Sequence, residues 1–541
     1  MNNFFKKYYW VVFSVIAIIL IYPSFTRGYI FALDWTIRPF IAWSDIVWSK
    51  PLGWSICDIL AIVMTFEVFQ RVLLFAMITL TGVAGFRLAK NTRNIFAQYF
   101  AGLFLIFNPF FYARMLEQTM LIGAGIVSFF WFWAWFKESI EEGNDVKKLI
   151  YSALAGALAI SFFAHSIFFV ASVFVVLSIV AYARKKDWKR IITMTVMFWT
   201  IVFAVNGNWI FASFAEGDTW ASKVVNFTQD DVEAFKTRKI GGYSVYMTVL
   251  SLQGYWGEYQ DRFVSVQDNM LWFPAFVCII FLVFFGLVRL WRKSIFVKPF
   301  VFLFLLAFVL AIGVASPLVK PWVLWLYQHV PFYIGLREPQ KWVVIMVVVY
   351  AFLGAWGIKY ILDIDKVKKY RWGVGVLCAI LPVIFSFSVI RGMHEYFTPH
   401  DFPLAWQSAR VYLQSQQSDG KILFLPWHSY MKFDFAGKNI TNPAKAYFGK
   451  NVISGNNVEF GGVYSNFTDA QTQTIQRYVL GAGEGADFHG DMVSLGIETI
   501  IVAKVEDWQT YVWMGDAIGV QKVMENDALI IYRVDTGAKS E

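Results

Sequence analysis

Cysteine is scarce in this chain of 541 residues: Cys57, Cys278 and Cys378, with none beyond position 378. Any domain after that point folds without disulfides, and no cluster of the zinc-binding kind is present. Charge is scarce as well. Asp, Glu, Lys and Arg make up 16% of the chain, against about a quarter in ordinary soluble domains. No P-loop, Gly-x-Ser-x-Gly, His-Glu-x-x-His or dinucleotide fingerprint occurs, which argues against chemistry powered by cytoplasmic ATP.

What the chain has instead is apolar surface. Hydrophobic residues make up 58% and aromatics 19%, including 55 Phe and 24 Trp. Mean hydropathy is +0.52. This composition excludes a disordered chain and points to a lipid-embedded bundle with aromatic belts at its interfaces. The formal charge of +9 reads as basic cytoplasmic loops rather than as a nucleic-acid surface. Lys6-Lys7 and the apolar run to Tyr22 lead into Pro23-Ser24-Phe25-Thr26-Arg27. No small-x-small cleavage site follows, so the run is expected to be an uncleaved first span.

A hydrocarbon core about 30 Å thick needs roughly 20 apolar residues per helix, and about eleven such runs are present. They lie near 8–23, 59–86, 94–109, 119–136, 149–164, 166–183, 191–207, 269–288, 299–316, 342–360 and 372–390. The run 149–183 is too long for one helix, and His165-Ser166 at its middle marks a hairpin. Basic residues concentrate in alternate short loops, among them Arg87/Lys90/Arg93, Arg184/Lys185/Lys186/Lys189/Arg190 and Lys366/Lys368/Lys369/Arg371. The opposite loops are longer and hold fewer. The positive-inside rule therefore expects a cytoplasmic N-terminus, with loops 24–58, 208–268 and 317–341 and the tail from about 391 on the outer side. The tail alternates helical and strand-like patterns. Helices are expected at 402–414 and 469–480, and strands at 421–425, 498–503 and 528–534, with 520–524 pairing with the last. The expected architecture is a polytopic α-helical bundle, 1–390, followed by an extracytoplasmic α/β domain, 391–541.

Candidate chemistry lies on the outer face. Asp34 follows the first span in the first outer loop and suits a general base acting on a hydroxyl, although a loop acid paired with Arg38 fits the spacing as well. Residues 37–54 have the composition of an interfacial helix. Glu67, Gln70 and Arg71 share one face of the second span, where ionisable groups line a cavity or pair for packing. Pro109 is expected to end the third span and leave Arg114 and Glu117 at the outer interface. Arg337 and Lys341 bracket Glu338-Pro339 just before a span, a placement suited to a lipid phosphate or pyrophosphate and also to simple anchoring. The acids of the 208–268 loop, among them Glu216, Asp218, Glu258 and Asp261, read as a solvated face or as ligands for sugar hydroxyls or a divalent cation.

Three motifs fall in a recognisable order. Gly28-x-x-x-x-x-Asp34 comes first, then Asn108-Pro109-Phe110-x-Tyr112-x-Arg114, then Leu336-Arg337-Glu338-Pro339-x-Lys341. With the C-terminal domain, this order resembles the GT-C class of polytopic membrane glycosyltransferases, in its arabinofuranosyltransferase-like branch. The resemblance implies transfer of a sugar from a polyprenyl-phosphate carrier to a glycan, lipid or protein acceptor on the outer face of the cell membrane. It implies Asp34 as base, with Arg337, Lys341 and Arg114 on the carrier phosphate and Glu67, Arg71, Glu117 and Glu338 lining the cavity. No Asp-x-Asp accompanies the pattern, so a divalent cation is possible rather than implied. A lipid-carrier or polysaccharide transporter and a non-catalytic scaffold for envelope assembly are the alternatives. No nucleic-acid partner is expected.

Overall fold

The computed structural model describes residues 6–47, 50–117, 120–143, 145–215, 229–416, 420–449, 451–455, 459–460, 463–464, 470–479 and 487–536. Among these, eight helices are long and apolar enough to cross a membrane. They are Phe66–Leu88, Ile95–Glu117, Met120–Glu141, Ser166–Lys185, Trp188–Ala212, Trp272–Leu290, Val297–Ala315 and Pro339–Leu362. Arg371–Phe385 and Ser388–Tyr396, bent by 45° at their junction, make a ninth if taken as one span. The remaining two expected spans are shorter helices, Tyr9–Ile21 with a 3-10 turn to Phe25, and Val146–Phe162. The chain is a multi-pass membrane protein with a C-terminal sheet region.

The hairpin expected at His165 is present: one helix ends at Phe162 and the next begins at Ser166. Two local expectations are corrected. Residues 37–47 form no helix beyond the 3-10 turn Trp43–Asp45, and regular helix begins at Leu52, after Pro51. That helix stops at Met64 because Thr65 adopts φ +69°, so the second span begins at Phe66 and not near 59. Pro109, in turn, does not end the third span. The Asn108 amide donates to the Phe104 and Leu105 carbonyls, each at 2.9 Å, and its Oδ1 accepts from Phe111 N–H at 2.9 Å. One side chain thus caps the end of one helix and the start of the next, and Pro109 occupies the first turn, where it lacks no needed N–H.

The chain divides into two compact units. The first holds residues to Phe25, Trp43–Val63 and Val68–Phe397. At its centre is Val343–Leu362, buried almost throughout. Small residues let the backbones meet there. A Cβ on Gly286 would strike the Leu353 carbonyl, and one on Gly357 the Leu282 carbonyl, the close approach that glycine permits between membrane helices.

The second unit holds Thr26–Ala42, Met64–Glu67 and Thr398–Glu541. The division differs from the expected one: part of the loop after the first span belongs with the tail, and the tail begins at Thr398. Its strands are β1 (Lys421–Leu425), β2 (Tyr430–Phe433), β3 (Lys438–Thr441), β4 (Val452–Ile453), β5 (Glu459–Phe460), β6 (Val463–Tyr464), β7 (Ile497–Ala503), β8 (Val520–Glu525) and β9 (Leu529–Val534). The main sheet runs β4-β1-β7-β9-β8, with β1 parallel to β4 and β7, and with β9 antiparallel to β7 and β8. Strands β2 and β3 form a separate hairpin. β1 is apolar on both faces, as a covered parallel strand must be. Leu423 and Leu425 join Ile475, Met492, Ile500 and Ile530 in one core. Phe424 turns the other way, 5.8 Å from Trp406. Trp406 in turn stacks on Phe448 and meets Phe433 and Phe435 edge-on. Phe31 of the first loop packs on Phe402 and Phe435 in this second layer, at 5.2 and 5.3 Å. This aromatic packing explains why the loop folds with the tail.

A buried cationic cluster as the candidate site

The helix that Asn108 restarts carries Arg114 and Glu117 inward. Each is only 1% exposed, which does not fit simple anchoring at a membrane interface. The Arg114 Nη1 donates to Glu338 Oε2 at 3.1 Å, and Lys341 Nζ lies 3.1 Å from the same oxygen. Glu338 Oε1 accepts from the Trp256 indole at 3.0 Å. The guanidinium of Arg114 also lies over the Tyr255 ring at 4.4 Å. Glu338 is therefore the hub that holds two cations at one depth. Burial alone would raise its carboxyl pKa, but Lys341 first, then Arg114, the Trp256 bond and Arg337 hold it well below the ordinary value.

Glu117 has its own partners: Arg262 Nε at 2.6 Å and the Tyr396 hydroxyl at 2.6 Å. Arg337 lies 4.7 Å over the Phe235 ring. His165, at the hairpin tip, fits against Gly335, where any Cβ would collide with the imidazole. Burial, then the charges of Lys341 and Arg337, push its pKa down to about 3, so the ring is neutral. Formally the cluster counts four cations, Arg114, Arg262, Arg337 and Lys341, against two anions, Glu117 and Glu338.

Positive charge is thus in excess by two, and part of it is unpartnered. Among the described residues, Arg114 Nε and Nη2 are buried with no hydrogen-bond partner, as are both ends of the Gln340 amide and the Ser166 hydroxyl. A cavity of about 10 Å³ touches Arg114, Lys341 and Ser166. An unpaired buried guanidinium nitrogen is costly unless an anion completes it, and the planar guanidinium fork matches phosphate oxygens. Metal binding is a different matter. Among the described residues no three His, Cys, Asp or Glu side chains converge on one point, and Glu117 and Glu338 are already engaged by cations. These residues do not fit a metal. Glu216 and Asp218 lie outside the described residues.

The remaining expected site residues take other places. In the first unit, Arg71 Nε donates to the Ser24 carbonyl at 2.5 Å. In the second, Glu67 accepts from Gly28 N–H at 2.9 Å. Both tie down backbone of the first loop. Asp34, half-buried, accepts from the Tyr430 hydroxyl at 2.8 Å. Sequence reasoning missed Tyr255, Trp256, Arg262, Tyr396, Gln340 and Ser166. The only signal was indirect: Trp256 and Arg262 flank Glu258 and Asp261 in a loop read as a solvated face.

No family model matches the sequence, and no curated protein matches it. Solved structures do. The fold aligns with arabinofuranosyltransferase AftD from Mycobacteria at a TM-score of 0.62 and 13% identity, over 98% of this chain and 40% of the other. It aligns with the Archaeoglobus fulgidus oligosaccharyltransferase, tethered with an acceptor peptide containing the NVT sequon, at 0.51 and 11%, over 93% of this chain and 70% of the other. The chain spans about 40% of the length of AftD. Both are GT-C glycosyltransferases, and at these identities the likeness is one of fold.

Proposed function

We propose that this chain is a membrane glycosyltransferase that takes a sugar from a polyprenyl-phosphate carrier and passes it to an envelope glycan, lipid or protein acceptor. The observation that carries the reading is the buried cationic excess around Glu338, with two Arg114 nitrogens unpartnered. A phosphate ester supplies the anion such a cluster lacks, and its lipid tail keeps it at membrane depth. Arg114 and Lys341 bind the phosphate while Glu338 keeps both cations in place, and Arg337 adds charge at the margin. During transfer the bond between the anomeric carbon and the phosphate oxygen breaks through an oxocarbenium-like state. Negative charge grows on the departing phosphate, where prepositioned cations stabilise it most. The acceptor hydroxyl forms the new bond and gives its proton to a base, for which Asp34 is the proposed residue. The carrier is already activated, so no nucleotide site is needed. The proposed orientation has the N-terminus in the cytoplasm and the tail outside.

The test uses the full chain purified into lipid nanodiscs. It is incubated with a panel of undecaprenyl-phosphate-linked pentoses and hexoses and with a membrane glycan extract. Release of undecaprenyl phosphate is followed by mass spectrometry. Turnover of at least one donor, abolished by Arg114→Ala, is expected, as is a rise in thermal midpoint on adding undecaprenyl phosphate alone. Absence of both would overturn the reading and leave a scaffold.

A further inference from the structure

The second unit holds Asp34 through contacts that lie far away in sequence. The carbonyl of Leu33 accepts from Thr441 N–H at 2.7 Å, and Thr441 is the residue paired with Tyr430 across the β2–β3 hairpin. Upstream, Tyr29 and His400 exchange backbone hydrogen bonds at 2.8 and 2.9 Å. The loop segment is therefore held in register against the tail, and the same cross-strand pair reaches both the backbone before Asp34 and its carboxylate. Tyr430 is 43% exposed. Its ring is not needed to fill a core, which leaves the hydroxyl as the group with something to do.

We propose that Tyr430 is a positioning residue for Asp34, its hydroxyl fixing the carboxylate rotamer and favouring the ionised form for proton acceptance. The proposal rests on the reading of Asp34 as the base. A phenol that donates to one carboxylate oxygen stabilises the anion and removes a rotational freedom that a base must otherwise lose on reaching a near-attack geometry. The tail would then take part in catalysis by setting the base.

The experiment compares Tyr430→Phe and Asp34→Asn with the wild type in nanodiscs, following undecaprenyl phosphate release from a donor the wild type turns over. Tyr430→Phe removes one hydroxyl from a partly exposed side chain, and its thermal midpoint is measured to establish that it folds. Expected for Tyr430→Phe are a fall in kcat of about tenfold, a donor KM within about twofold of wild type, and an acidic limb of the pH profile moved up by about half to one pH unit, the scale of a partly exposed hydrogen bond to a charged group. Asp34→Asn is expected to abolish release. If Asp34→Asn is inactive while Tyr430→Phe keeps wild-type kcat and pH limb, the positioning role is overturned and the base stands. An active Asp34→Asn, or a wild type that turns over no donor, overturns the reading on which the proposal rests. A lowered kcat with an unmoved pH limb would reduce Tyr430 to a structural contact and also overturn the proposal.

Discussion

The first unit draws ionisable side chains together in two places, and the two clusters are built differently. One joins the ends of helices near residues 87–148. There Arg87 grips Glu138 with two nitrogens, at 3.3 and 2.8 Å. Lys148 bridges Glu138 and Glu142. Lys137, 2% exposed, pairs with Glu141 at 2.7 Å, and no buried nitrogen or oxygen of these side chains is left without a partner. The other is the Arg114–Glu338–Lys341 cluster, where two cations share one carboxylate oxygen and two guanidinium nitrogens have no hydrogen-bond partner among the described residues. Buried charge that is matched atom by atom staples helices together. Buried charge in excess costs free energy without an anion, and that cost is what a ligand can relieve.

The largest expected effect separates the two clusters directly. Arg114→Ala should lower donor turnover by about a hundred- to a thousandfold, the scale of losing a group that stabilises transition-state charge, with Arg114→Lys restoring only part because the fork is lost. Arg87→Ala should instead remove one partner of a half-buried pair whose carboxylate keeps Lys148, destabilising by about 1–3 kcal/mol, while the protein that remains folded keeps its turnover per molecule. Thermal melts and release assays on both variants provide the comparison. If Arg87→Ala were the one to lose specific activity, the distinction between staple and site would collapse.

Glu338→Gln sharpens the comparison. The substitution keeps an acceptor for Trp256 but strips Arg114 and Lys341 of their counter-ion. Expected are a loss of about 3–5 kcal/mol in the unliganded protein and a larger thermal upshift on adding undecaprenyl phosphate than wild type shows. A destabilised variant with no larger upshift would mean that Glu338 holds the fold alone and that the cluster is a second staple.

How much of this was legible in the sequence depends on what each feature rests on. The sheet was readable because β1, β7 and β9 each carry a short apolar run, 422–425, 500–503 and 529–532. The hairpin at His165 was readable because the predominantly apolar run 149–183 is too long for one span. The positions of Arg114, Arg337, Glu338 and Lys341 stood out as charge beside apolar runs. Their burial did not, because it depends on Asn108 restarting a helix that Pro109 was expected to end. The shared carboxylate of Glu338 and the indole of Trp256, 82 residues away, arise only from tertiary packing. The same holds for the first loop joining the tail, which follows from Phe31 finding Phe402 and Phe435.

The smallest effect concerns two groups in loops between spans whose titrations oppose each other. Glu258 is 7% exposed and bonded by the Gln253 amide and by Gly254 N–H. Among the described residues no cation is paired with it, in contrast to Glu338. Burial, only partly offset by those two bonds, pushes its pKa up to about 7 from an ordinary 4.5. The folded chain holds this proton more tightly than the unfolded chain does. Its contribution to stability is therefore complete below pH 4.5 and is lost as pH rises through about 7, by about 3 kcal/mol across that gap. His165 acts in the other direction. Its folded pKa of about 3 lies below the unfolded 6.5, so its neutral packing costs stability as pH falls below 6.5. Glu338, held below the ordinary carboxylate value, stays ionised across this window and contributes no slope. Between pH 4.5 and 6.5 the two slopes nearly cancel in the wild type. Glu258→Gln should remove one of them, so that its thermal midpoint relative to wild type climbs steadily from pH 4.5 to 7. His165→Asn should show the opposite trend, gaining on the wild type as pH falls from 6.5. Parallel pH curves for Glu258→Gln and wild type would mean that Glu258 is ionised in the folded protein and that a compensating charge sits against it, which would erase the contrast between a carboxylate surrounded by cations and one surrounded by amides.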